Sequence, residues 1–128
     1  MDAKIVKEIK RLQGMSRCPR RSVGVLLYDR NMLLLSGGYN APDVFDCYSN
    51  PCSKLRGRSG CLAKHAEIMA LEGCYFSPYF MYGTRSPCME CSEALAKCGV
   101  KVIFVLTYDW NRKRDLFLQK LGISMKVV

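Results

Sequence analysis

His65 stands two residues before Glu67 in RSGCLAKHAEIMALEGC (residues 58–74), and Cys88 and Cys91 stand three apart in SPCMEC (residues 86–91). One imidazole and two thiolates are ligands that zinc prefers, and three protein ligands leave the fourth tetrahedral position open, as in catalytic sites rather than closed structural ones. Cysteines at i and i+3 of a helix start share one face, and the exposed amides and dipole there favour thiolates. Glu67 need not be a ligand. Two residues from His65, it can take a proton from a water that the metal has acidified and carry it to a substrate. Each half alone is ambiguous, because a single histidine at a helix start is commonly a polar or capping residue, and a single CxxC also serves structural zinc and redox motifs.

Several elements must position these groups. AKIVKEIKRLQ carries Ile5, Ile9 and Leu12 at spacings of four and three, an amphipathic helix ended by Gly14. SVGVLLYD and NMLLLSGGYN are apolar runs around Asp29, Arg30 and Asn31, which predicts a hairpin whose second strand ends near Ser36. Between Asn40 and Lys64 the pattern disappears into a polar stretch with Pro42, Pro51, Gly57 and Gly60; a loop of this length in a small domain needs a reason. LAKHAEIMALEG then reads as a helix closed by Gly73, and PYFMYGTR as a strand. SPCMECSEALAKCG reads as a helix starting at Ser86 and Pro87 and ending at Gly99. VKVIFVLTY is a buried strand, RKRDLFLQKLG a short helix and ISMKVV a last strand. This order predicts an α/β domain, a mixed central β-sheet of about five strands flanked by helices.

With 128 residues, 49% hydrophobic and 24% charged, the chain suits a single domain over residues 1–128. No stretch approaches the roughly 20 apolar residues of a membrane span, and MDAKIVKEIKRLQG lacks the apolar centre of a secretory signal. The expectation is a soluble, intracellular, cytoplasmic protein with no membrane partner. Its eight cysteines then suggest metal binding before disulfides, because the chain has core enough to fold without such staples. A formal charge of +9 suits phosphates and nucleotides. The basic clusters RCPRR, KLRGR and NRKR are short, as solvated faces usually are, so nucleic acid is not an expected partner.

In this order, with a strand and a helix between them, the two halves of the opening constellation match the H-x-E and P-C-x-x-C pattern of zinc nucleobase deaminases. Nearly the whole chain after residue 16 resembles the cytidine deaminase superfamily, and more narrowly its deoxycytidylate (dCMP) deaminase branch. RCPRRSVGVLLYDRN, SGGYN, HAEIMAL, SPCMEC, AKCGVKVIFVLTYD and LGISMKVV carry that resemblance. Nucleoside cytidine deaminases commonly use cysteine where His65 stands. The tRNA adenosine deaminases share HAEIMAL almost letter for letter, but the 24 residues between Asn40 and His65, together with SPC and TYD, look like the nucleotide enzymes.

The resemblance implies a three-layer fold and zinc-dependent hydrolytic deamination of dCMP to dUMP and ammonia, supplying dUMP for dTMP synthesis. The alternatives are a bifunctional dCMP/dCTP deaminase or a tRNA adenosine deaminase, and, outside enzymes, a zinc-stabilised nucleic-acid-binding module. Carried over residue by residue, it makes His65, Cys88 and Cys91 ligands of a catalytic zinc and Glu67 the proton shuttle. Asn40 is expected on the sugar, the Ala66 amide and Ser86 carbonyl at the pyrimidine edge, and Tyr108 near the phosphate. Arg20, Arg21, Arg56, Arg58 and Lys64 are phosphate candidates among which sequence does not choose; Arg21 is taken as the substrate contact. Two departures bear on pocket shape: Val25 stands where the family has alanine, and Arg85 puts a cation near the mouth.

Some family members carry a second, structural zinc, and Cys18, Cys47, Cys52 and Cys61 in or beside the long polar stretch would supply a four-cysteine site. Cys74 and Cys98 are read as small buried hydrophobes. A homo-oligomer, commonly a hexamer, with dCTP and dTTP as effectors follows from the resemblance alone.

Overall fold

A computed structural model describes residues 2–16, 21–42 and 63–128. Helix α1 (Ala3–Gly14) leads into the antiparallel strands β1 (Gly24–Tyr28) and β2 (Leu34–Tyr39). A short ladder of β3 (Ala41–Pro42) and β4 (Ala63–Lys64) precedes helix α2 (Ala66–Glu72). Then β5 (Phe80–Arg85), α3 (Met89–Cys98), β6 (Val102–Thr107), α4 (Arg112–Lys120) and β7 (Ser124–Val127) alternate. The main sheet has the order β2-β1-β5-β6-β7, antiparallel on its β2-β1-β5 side and parallel from β5 through β7.

Strand alternation divides the core into two layers. Val25, Leu27, Met81, Ile103 and Val105 point to one face, where Ala66 and Ala70 of α2, Leu95 of α3 and Leu118 of α4 cover them. Leu26 and Tyr82 point to the other, against Ile5, Ile9 and Leu12 of α1. The expected α/β fold with a five-stranded mixed sheet and helices on both faces is therefore present. The 5, 9, 12 spacing in α1 identified its three buried residues. No helix among the described residues is long and apolar enough to cross a membrane.

Three expectations need correction. Strand β2 continues past Ser36 through Gly37 and Gly38 to Tyr39. The glycines do not end the strand; Gly37 faces Leu12 of α1, and Gly38 lets α2 lie on the other face, because a Cβ at Gly38 would sit 2.3 Å from the Ala66 carbonyl oxygen and 2.8 Å from the Ala70 nitrogen. The helices also start later than read. Ala63 and Lys64 pair with Ala41 and Pro42, leaving His65 as the N-cap of α2, while Cys88 rather than Ser86 caps α3. Finally, Cys98 is exposed and Cys74 only half-buried, since Cys98 falls at the solvent side of the last turn of α3.

The close approach at Gly38 gives a direct test. Gly38→Ala sets a Cβ against backbone atoms of α2 and must push that helix off the strand, so it should destabilise by about 1–3 kcal/mol or more. Because His65 caps α2 and Glu67 lies in its first turn, the loss should appear both in thermal unfolding and in weaker metal binding.

Candidate metal centre

The β3–β4 ladder sets the ends of a long connection side by side, so that Asn40 and His65 flank the same two residue pairs. His65 caps α2 in extended conformation, and Cys88 caps α3 likewise, with its Sγ accepting from the Cys91 amide at 3.5 Å. The two helix starts thus face each other. His65 Nδ1 lies 3.2 Å from Cys91 Sγ and 3.5 Å from Cys88 Sγ, and donor atoms of the three residues all lie within 4.8 Å of one another.

Those spacings can be tested against zinc. Tetrahedral Zn–S and Zn–N bonds of about 2.3 and 2.0–2.1 Å place nitrogen about 3.6 Å from each sulfur. The observed separations are close to that, and the donor set of one imidazole and two thiols is zinc-compatible, so the residues fit the ion. Cys91 is buried, Cys88 half-buried and His65 exposed, which gives the group a protein side and an open side.

The electrostatics favour a thiolate. The Cys88 thiol is lowered to about 3, chiefly by the hydrogen bond from the Cys91 thiol, with His65 and the Cys91 amide adding to it. Cys91 is raised by the same contact and by burial. The Cys88 contact raises His65. Glu67, one position into α2, is only 5% exposed, and burial pushes its carboxyl up to about 7.

The other expected residues divide. Ala66 is fully buried and opens α2, where an amide has no intrahelical acceptor. The Ser86 carbonyl receives Arg21 Nη2 at 3.4 Å, so the guanidinium approaches the oxygen assigned to the substrate amine. Asn40 is committed within the protein: Oδ1 accepts from Ser16 Oγ and the Val23 amide at 2.6 and 2.8 Å, and Nδ2 donates to the Arg21 carbonyl. Any sugar contact must use what remains of its amide. Tyr108 turns its hydroxyl to the Asp115 carboxylate. Lys64 pairs with Glu72 at 2.9 Å. Cys18, Cys47, Cys52, Cys61, Arg20, Arg56 and Arg58 lie outside the described residues.

Sequence reading missed Asp109 and Arg114 and saw Arg85 only as a cation near the mouth. Asp109 accepts from Arg85 Nε and Nη2 at 3.1 and 2.5 Å and from Arg21 Nη2 at 3.1 Å, so two arginines from distant segments converge on one carboxylate beside Ser86. The Arg85 contact holds the Asp109 carboxyl below its usual range. The available signal was the TYD piece following a strand, whose aspartate had no assigned partner.

Comparison with known proteins agrees with this geometry. A deoxycytidylate deaminase of Enterobacteria phage T2 is 35% identical over 68 residues, which span 48% of this chain and 36% of that protein. The chain thus matches about a third of the length of that curated relative. Two crystal structures of a dCMP deaminase from the cyanophage S-TIM5 superpose over essentially the full length. The apo form has a TM-score of 0.75 at 26% identity over 100% of both chains, and the complex with dCMP and dUMP 0.77 at 27% over 99% of both. The family model for the cytidine and deoxycytidylate deaminase zinc-binding region matches residues 1–107, a span that takes in the facing helix starts with His65, Glu67, Cys88 and Cys91, and the chain belongs to that family.

Proposed function

We propose that this protein is a zinc-dependent hydrolase that converts dCMP to dUMP and ammonia. The observation that carries the reading is the convergence of His65 Nδ1 and the Cys88 and Cys91 thiols beside the buried carboxyl of Glu67. His65, Cys88 and Cys91 would hold the metal, which when bound supplies a Lewis acid that brings the pKa of water toward neutrality. The protein's own groups handle protons and position. Glu67 would take one proton from water to the pyrimidine N3 and then carry the second, from the hydroxyl now on C4, to the departing amine, so that a C4–O bond replaces C4–N and ammonia leaves.

The Ala66 amide and Ser86 carbonyl lie at the starts of the two site segments and suit the pyrimidine edge. Ser86 can accept from both Arg21 and an amine, because a carbonyl has two lone pairs. Arg21 and Arg85 bring two guanidinium groups together beside Ser86, a chemistry that suits an anionic substrate on this side. The choice of dCMP among pyrimidines rests on those guanidinium groups, on the formal +9 of the chain and on the named substrates of the phage relatives.

A second, structural zinc on Cys18, Cys47, Cys52 and Cys61 belongs to the same reading, since four thiolates closing on an ion contribute folding energy to a segment poor in apolar residues. Homo-oligomerisation and control by dCTP and dTTP rest on the family resemblance alone.

Ammonia release measured side by side with dCMP, dCTP, cytidine and a tRNA anticodon stem tests the substrate. The highest kcat/KM is expected with dCMP. Turnover on RNA alone, or on cytidine as efficiently as on dCMP, would overturn the assignment. Metal analysis of the same sample is expected to give two zinc ions per chain; one would remove the four-cysteine site and leave the catalytic one.

A further inference from the structure

Arg114 is the largest fully buried side chain among the described residues, with 1% of its surface exposed. Arginine is almost never so buried unless paired, because removing its charge from water is costly. Its contacts account for that burial. Nε bonds Asp115 Oδ1 at 2.9 Å, Nη1 donates to the Pro87 carbonyl at 3.0 Å, and Nη2 donates to the Asp109 carbonyl at 2.6 Å. The Tyr108 ring lies 5.4 Å from the guanidinium carbon, and the Tyr108 hydroxyl bonds the other oxygen of Asp115.

Two of those partners are main-chain atoms of the site segments. Pro87 immediately precedes Cys88, and the Pro87 carbonyl and Cys88 amide belong to one rigid peptide plane. A hydrogen bond that fixes the carbonyl therefore fixes the plane from which Cys88 and its thiol project. Asp109 supplies the carboxylate on which Arg21 and Arg85 converge. Its amide is also tied to the first segment, donating to Ser86 Oγ at 3.0 Å. One buried cation on α4 thus braces both sides of the site without being placed among its ligands.

We propose that Arg114 is a positioning residue that holds the Pro87–Cys88 peptide, and through it the Cys88 thiol, in metal-binding geometry, while fixing the Asp109 backbone beneath the two-arginine cluster. The proposal rests on the zinc reading of His65, Cys88 and Cys91. Contacts that orient metal ligands from behind typically change affinity 10–100-fold when removed.

The test compares full-length Arg114→Met and Arg114→Lys with Leu118→Ala, a buried core residue on the same helix. Zinc affinity is measured by competition with a chromophoric chelator, the thiolate-to-cobalt absorption band is recorded after Co²⁺ substitution, and thermal unfolding is followed on each metal-free chain. Arg114→Met is expected to weaken zinc about 10–100-fold and to alter the cobalt band. Arg114→Lys, with a shorter cation able to reach one carbonyl, should recover part of both. Leu118→Ala should lower the unfolding temperature and leave zinc affinity and the cobalt band near wild type. If Arg114→Met and Arg114→Lys only lower the unfolding temperature, or if Leu118→Ala weakens zinc equally, Arg114 is a stability residue and the proposal fails. A wild-type chain that holds no zinc would instead overturn the reading of the site itself, and the positioning role with it.

Discussion

Glu67→Gln should lower dCMP turnover by about 10²–10⁴-fold while zinc content stays at the wild-type level. The substitution keeps the length and hydrogen-bonding capacity of the side chain and removes its ability to give and take a proton. Glu67 lies in the first turn of α2, one residue beyond the buried Ala66 and two beyond His65, and its own burial excludes water that could stand in for it. None of the three candidate ligands is altered, so metal retention separates loss of proton transfer from loss of the site. Ammonia release and metal analysis on the same preparation check both halves. Turnover near the wild-type rate in a zinc-bearing Glu67→Gln chain would remove Glu67 from the role of shuttle and leave the metal assignment standing. Loss of both turnover and zinc would show that Glu67 acts on ligand geometry.

The sequence made this constellation legible because its signals are local: each half lies within a few residues, and each sits where a strand or loop passes into a helix. The apolar period of α1 and the unbroken run of β6 are of the same kind, and both elements lie where expected. What the sequence did not disclose depends on contacts between distant segments. Gly37 and Gly38 resemble a strand end until Leu12 of α1 is known to lie against the first and α2 against the second. Asn40 is read from the sequence only as a sugar contact, and the sequence gives no sign that its amide also joins Ser16, Arg21 and Val23 across 17 to 24 residues of chain. Arg114 sits in NRKR, a run that reads as a solvated basic face, and only the folded arrangement reveals that one of its cations is buried against Pro87 and Asp109. Charge runs identify where cations are in sequence, not which of them the fold turns inward.

The other large effect concerns the metal. Cys91→Ser is expected to abolish zinc-dependent activity, whereas Cys98→Ser on the same helix leaves it intact. Cys91 is 1% exposed, and its Sγ lies 3.2 Å from His65 Nδ1, so a serine hydroxyl would replace a thiolate where no other described donor can substitute. Cys98 is exposed at the far end of α3. Stability supplies a readout independent of substrate. An ion that binds only the folded state adds about 4 kcal/mol at a free concentration a thousandfold above its Kd. Wild type and Cys98→Ser should therefore gain several degrees in unfolding temperature when zinc is restored after chelation, and activity should return with it. Because Cys18, Cys47, Cys52 and Cys61 remain in every variant, a structural ion there would preserve part of that gain in Cys91→Ser without restoring turnover. The two zinc roles then separate: stabilisation that survives Cys91→Ser belongs to the four-cysteine set, and the stabilisation lost together with activity belongs to His65, Cys88 and Cys91. Full activity in Cys91→Ser would break the link between this cluster and the chemistry.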